Sequence, residues 1–245
     1  MIRHALLRLL TAVPTLLVLV TLTFFLMRLA PGGPFDRERS LPPEIEAVLA
    51  AEYHLDEPLP KQYLRYLGGL VRGDLGPSFQ YEGFRVSELI AKGLPVSLAL
   101  GALAMLLALL MGVSMGIIAA LAHRRLPDYG LMSVALLGVS IPSYVVAPIL
   151  VLVFAVTLRW LPAGGWVPGR FSDLVLPVVA LALPQISAIA RLMRGALLEV
   201  LQQPYLRTAR AKGLSPAKVI LRHAMKPALM PLVSYLGPAT AGILT

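Results

Sequence analysis

Four histidines, His4, His54, His123 and His223, are the chain's only imidazoles, and they are scattered without any metal-ligand spacing. The chain has no cysteine, which excludes disulfides and thiolate metal sites. No Gly-x-x-x-x-Gly-Lys phosphate loop occurs, so the chain does not bind ATP by that route, and any work it does draws its energy from elsewhere. The serines within apolar runs have no base beside them, which leaves an intramembrane hydrolase without a catalytic set. No Asp, Glu, Lys or Arg stands well inside an apolar run either, as proton- or sodium-coupled transport usually requires. The expectation is a chain that is not an enzyme and needs no cofactor.

The residues that can do chemistry gather elsewhere. Arg191 to Lys226 carries eight Lys or Arg against one acid, Glu199. Its second half, Tyr205-Leu-Arg-Thr-Ala-Arg-Ala-Lys-Gly-Leu-Ser-Pro-Ala-Lys-Val-Ile-Leu-Arg-His-Ala-Met-Lys226, reads as two short helices. The first starts at Pro204 and stops at Gly213 in a left-handed turn. Ser215 then caps the second, with Pro216 at its first position. On that second helix Ala217, Leu221, Ala224 and Ala228 share an apolar stripe, and Lys218 and Arg222 form a basic pair on another face. Such a helix suits docking to a partner, or lying in the interface on anionic lipid. The residues alone leave both open.

The elements that must position this stretch are membrane spans. Of the 245 residues 57% are hydrophobic and 14% charged, far from the roughly 25% charged of soluble domains. Leu9 to Met27, Val96 to Ala122, Leu131 to Leu158 and Leu174 to Ala190 each approach or exceed the roughly 20 residues that cross a bilayer as a helix. A fifth apolar stretch, Ala228 to Thr245, contains Pro231, Ser234 and Pro238 and reads as an interrupted span. The net charge of +9 is confined to loops between spans, which excludes a nucleic-acid surface. Ala30 to Pro95 holds ten acids against seven bases, and Arg159 to Asp173 one acid against two. The positive-inside rule therefore places the N-terminus and the Arg191 to Lys226 loop in the cytoplasm, and Ala30 to Pro95 outside. A cleaved signal peptide fits poorly, because the apolar run is long and Met27-Arg28-Leu29-Ala30-Pro31 offers no small-x-small cleavage site.

The outer segment is expected to hold two short helices, one from Pro43 to about Tyr53 and one opening with Pro60 and stopping at Gly73, with Tyr63, Leu67 and Leu70 on one face. It would cap the outer mouth, either packing on the spans or meeting an external partner. In the second span Ala104, Ala108, Gly112, Gly116 and Ala120 recur every four residues, a face suited to close helix contact, with a conduit lining as the alternative. Pro142, Pro148, Pro177 and Pro184 each remove a backbone donor inside a span, so kinks are expected, as gates or as static bends. Gln185 and Ser187, deep in the fourth span beside Pro184, are candidates with Pro142 and Pro184 for lining or gating a pathway.

At the loop the chain resembles the permease subunits of bacterial ABC importers, whose coupling loop carries Glu-Ala-Ala, three residues, then Gly. Arg207-Thr208-Ala209 takes the leading places and Gly213 the glycine, and Arg207-Thr-Ala-Arg-Ala-Lys-Gly-Leu214 looks like the version in the dipeptide and oligopeptide branch. The family's later Leu-Pro is displaced, with Pro227 one place late after Met225. Phe24-Phe-Leu-Met-Arg-Leu-Ala-Pro-Gly-Gly-Pro-Phe35, Tyr53-His-Leu-Asp-Glu-Pro58, Gly73-Asp-Leu-Gly-Pro-Ser-Phe79, Ile141-Pro-Ser143 and Trp160-Leu-Pro-Ala-Gly-Gly-Trp166 extend the likeness along the whole chain, toward B-type oligopeptide permease subunits.

The resemblance implies an all-α polytopic bundle in the bacterial inner membrane. It implies a sister permease subunit, two ATP-binding subunits docked on the loop through Arg207, Thr208, Ala209, Gly213, Ser215 and Pro216, and an extracytoplasmic binding protein that delivers peptide. The expected organisation is 1–30 as N-terminal region and first span, 31–95 as extracytoplasmic segment, and 96–245 as membrane core with the loop at 191–226. The family has six spans, so a sixth is expected beyond Thr245. A membrane scaffold without flux is the rival reading.

Overall fold

The computed structural model describes residues 2–29, 54–78, 80–81, 83–167 and 169–244. The expected helix from Pro43 to about Tyr53 lies outside them. Among the described residues the fold is all-α, with a lone antiparallel bridge between Pro77 and Arg85. The helices are α1 (Ile2–Leu29), α2 (Leu59–Val71), α3 (Val86–Leu121), α4 (Leu126–Ser140), α5 (Ser143–Thr157), α6 (Ser172–Leu201), α7 (Pro204–Ala211) and α8 (Pro216–Leu244). Four of these, α1 from Leu6 onward, α3, α6 and α8, are long and apolar enough to cross a bilayer; α4 and α5 together make a fifth, broken span. The chain is thus a multi-pass membrane protein. It divides into two compact units, Met1–Gly93 and Leu94–Thr245.

In the first unit α1 leaves most of its leucines exposed, among them Leu10, Leu16 and Leu26, as a surface made for lipid tails does. Near its end Phe24 stacks on Tyr66 with ring centroids 5.5 Å apart, and the Thr21 and Tyr63 hydroxyls share a hydrogen bond of 2.6 Å. Helix α2 opens with Pro60 in its first turn and stops where expected: Gly73, at φ +76°, and Asp74 return their N–H groups to Leu70 and Gly69, closing the helix end with left-handed glycine geometry. Beyond it the Asp74 carboxylate accepts from the Gly76 N–H and pairs with Arg85, so its pKa lies below the usual carboxylate range, chiefly through the backbone donor.

The second unit is built on the small-residue face of α3. Ala104, Ala108, Gly112, Gly116 and Ala120 are all buried. A Cβ on Gly112 would stand 2.8 Å from the Ile189 Cβ, and one on Gly116 would stand 2.6 Å from the Ala190 carbonyl oxygen. The face is a backbone-to-backbone contact with α6, as its spacing predicts. Ala182, Ile186 and Ile189 of α6 and Leu232 and Ala239 of α8 complete that core.

Two expectations about the spans are corrected. Leu131 to Leu158 is not one helix: α4 and α5 meet at a 101° bend. Ile141, extended at φ −97° and ψ 118°, ends α4, and Pro142 stands at the N-cap of α5. The Pro142 ring disfavours helical backbone in the residue before it, so the chain breaks there. The last apolar stretch, by contrast, is not interrupted, since α8 continues through Pro231 and Pro238. Pro177 and Pro184 likewise lie within a continuous α6. A proline in mid-span removes one bond of the ladder; breaking the helix also needs a neighbour with an extended alternative, which Ile141 takes.

Candidate functional site: the loop between α6 and α8

The loop begins where α6 ends at Leu201 and turns through Gln203 into α7. Helix α7 is amphipathic over two turns. Leu206 and Ala209 face inward and join Ala120, Met193, Leu197, Val219, Ala224 and Ala228 in a second buried cluster. Tyr205, Arg207, Thr208 and Arg210 lie on the exposed side. Packing thus fixes the helix by one face and presents the other. The Thr208 hydroxyl donates back to the Pro204 carbonyl at 3.3 Å.

Gly213 stops α7 as expected. Its φ is +77°, its N–H reaches the Arg210 carbonyl at 3.0 Å, and the Leu214 N–H reaches that of Ala209 at 3.3 Å. These are the paired bonds of a helix end closed by a left-handed residue, and Leu214 packs against the buried cluster that includes Ala209. A Cβ at Gly213 would meet nothing within 4 Å, so backbone conformation alone demands glycine there.

The start of α8 departs from the sequence reading in three ways. Ser215 occupies the N-cap position, but its side chain makes no cap bond; its carbonyl accepts from the Val219 N–H at 3.0 Å. Pro216 opens the helix as expected. The helix it opens is not a short separate one but the head of the span Pro216–Leu244. Third, Ala217, Leu221, Ala224 and Ala228 do not form one buried stripe. Leu221 is 73% exposed, and the buried residues are Val219, Ala224 and Ala228. The cause is a π-helical turn over Val219–Ala224, which replaces the four-residue repeat with a five-residue one. Lys218, Arg222 and Lys226 stay exposed.

The residues singled out deep in the spans are placed apart from the loop. Ser187 is buried; its hydroxyl donates to the Leu183 carbonyl at 2.9 Å, and a Cβ on Gly138 would stand 2.3 Å from it. Ser187 therefore sits in the α4–α6 contact. The Gln185 Oε1 accepts from the Tyr235 hydroxyl at 2.8 Å, tying α6 to α8. Pro142 marks the α4–α5 bend and Pro184 lies mid-way along α6.

The sequence reading missed an ion pair beside the loop. Asp128, in the first turn of α4, is 2% exposed and accepts from Arg194 of α6 through both oxygens, at 2.6 Å from Nε and 2.7 Å from Nη2. Its Oδ2 also accepts from the Arg124 N–H at 3.0 Å and lies 3.4 Å from the His123 Nδ1. Asp128 is buried while the Arg194 side chain is 28% exposed, so the carboxylate depends on the guanidinium for its charge balance and water screens the guanidinium in part. The available signal was a lone acid next to Arg124-Arg125 at the head of an apolar run.

Comparison with known proteins bears on the loop and on the whole chain. The model of a family described as binding-protein-dependent transport system inner membrane component matches residues 112–245, and that of its N-terminal region matches residues 1–101. An oligopeptide transport system permease protein OppB from Salmonella typhimurium is 54% identical over 245 residues, covering 100% of this chain and 80% of the relative. A dipeptide transport system permease protein DppB from Bacillus subtilis is 44% identical over 245 residues, covering 100% of this chain and 79% of the relative. Its Lactococcus lactis counterpart is 38% identical, covering 80% of the relative.

Proposed function

The chain belongs to the family of inner membrane components of binding-protein-dependent transport systems, and from that premise we propose that it is the permease subunit of an ATP-driven peptide importer. It forms half of the translocation path beside a sister permease subunit. Two separate ATP-binding subunits dock on the α6–α8 loop, and an extracytoplasmic binding protein brings the peptide. The supporting observation is the geometry of the loop: α7 is anchored by Leu206 and Ala209, closed by Gly213, and offers Arg207, Thr208 and Arg210 outward. A rigid helix held by one face and free on the other suits transmission of a push. Charge distribution supports the loop and the N-terminus facing the cytoplasm, with 30–95 outside.

The mechanism is alternating access. Closure of the ATPases on ATP moves α7, and the movement passes through its buried face to α6 and α8. The cavity between the two permease subunits then opens outward and receives peptide, and hydrolysis resets it. The subunit holds peptide loosely, and selectivity resides mainly in the binding protein. The test is co-reconstitution with the partner subunits in vesicles, measuring uptake of labelled di-, tri- and tetrapeptides. ATP-dependent uptake that vanishes when this subunit is omitted supports the reading. Assembly with the partners but no flux would instead make the chain a scaffold.

A further inference from the structure

The Asp128–Arg194 pair has no part in the loop's own fold, yet it is fastened to the same piece of α6. Arg194 follows Met193 and precedes Leu197, and both of those side chains are fully buried against the loop cluster that holds Leu206 and Ala209. The guanidinium is therefore carried on the segment that carries α7. On the other side the pair holds a turn. Asp128 receives Arg194 and the N–H of Arg124, whose φ of 60° is left-handed and unfavourable for a residue with a Cβ, so one carboxylate fixes both the turn and the first turn of α4. Farther along, α4 meets α6 again at Gly138 and Ser187, just before the bend at Ile141 and Pro142.

The two attachments differ in kind. Small-residue contacts like that at Gly138 are non-directional and let helices slide, whereas a planar fork on a carboxylate fixes position along two axes at once. We propose that Asp128 and Arg194 are positioning residues for transport: their bidentate pair makes α4 move with the loop-bearing end of α6, so that motion of α7 arrives at the 101° bend. The inference rests on the loop being the ATPase-coupling element.

The discriminating variant is Arg194→Lys, which keeps the charge and removes the fork. Asp128→Asn and the exchange Asp128→Arg with Arg194→Asp accompany it. In vesicles holding the whole complex, three quantities are read at matched subunit amounts: assembly, ATPase activity without binding protein, and uptake with the rise in ATPase activity caused by loaded binding protein. Arg194→Lys is expected to assemble and to keep its unstimulated ATPase activity. Its uptake and stimulation should fall about tenfold, within the usual range of coupling between distant sites. Asp128→Asn should lose stimulation likewise, and the exchange should recover part of it. Arg194→Lys with unchanged uptake and stimulation overturns the inference. So does loss of assembly in that variant, because the pair would then be a folding element. Absence of ATP-dependent uptake with the unaltered chain would count against the importer reading itself, a separate result.

Discussion

Val219 and Ala224 stand five residues apart on α8, and both are buried in one cluster with Leu206 of α7. In an ordinary α-helix those positions are turned well away from alignment; the π-turn brings them onto one face. Between them Leu221 and Arg222 are exposed. Deleting Leu221 converts the turn to α-helix while keeping Val219, Ala224 and Ala228 on the buried side. Deletion of Ser234, farther along α8, rotates everything beyond it by about 100°. Thermal unfolding in detergent should show the Leu221 deletion close to the unaltered chain and the Ser234 deletion strongly destabilised. Equal damage from the two would mean the π-turn is not an insertion in an α register.

The α3–α6 contact leaves no room for side chains at Gly112 and Gly116. Gly116→Val forces a methyl-bearing carbon to within 2.6 Å of the Ala190 carbonyl oxygen, and overpacking of this kind costs about 1–3 kcal/mol or more. Gly195 on α6 has nothing within 4 Å of where its Cβ would stand, so Gly195→Ala should be neutral or stabilising by up to about 1 kcal/mol. Unfolding midpoints of the two variants check the contrast, and a tolerated Gly116→Val would remove the close backbone approach.

Much of this was legible in the sequence because it rests on local rules. The four-residue repeat of small residues on α3, proline at the head and glycine at the foot of α2, and Gly213 after α7 all depend on spacing or on backbone conformation, and each lies where expected. What was not legible depends on partners distant in sequence. Asp128 and Arg194 are 66 residues apart, and nothing local tells either that the other is near. The break at Ile141–Pro142 and the continuity through Pro184 look alike in sequence, since both are prolines in apolar runs. The stripe fails at Leu221, because α-helical spacing puts Leu221 on the face of Ala224 and Ala228, whereas the π-turn brings Val219 there instead. Ser187 carried a polar group at depth, and only the packing shows it filling the notch at Gly138.

Ala209 is buried against its own chain, which separates its role from that of its neighbours. Ala209→Asp places a charge among Leu206, Val219 and Ala224, and an unpaired buried charge is strongly destabilising. That variant should lower the amount of folded subunit. Arg207→Ala removes an exposed side chain and should leave the amount unchanged. Subunit levels after membrane extraction decide between them; normal accumulation of Ala209→Asp would contradict the inward orientation of that face.

The chain's lack of cysteine makes its orientation directly readable. Single cysteines at Arg72 and at Lys218, both exposed, should react oppositely with an impermeant thiol reagent on intact cells: the first labelled, the second only after the membrane is opened. Labelling of Lys218→Cys in intact cells would invert the arrangement.

The claim that the α6–α8 loop couples ATPase to transport meets its most direct test at Gly213. Valine there must adopt a φ near +77°, costing about 1–2 kcal/mol, while its Cβ meets nothing within 4 Å. The strain tilts α7 against the head of α8. The measurement is peptide uptake, together with the stimulation of ATPase activity by loaded binding protein, in vesicles with matched amounts of every subunit. Gly213→Val is expected to insert and accumulate normally while uptake and stimulation are lost. Wild-type levels of both in that variant would show that the loop is not the coupling element.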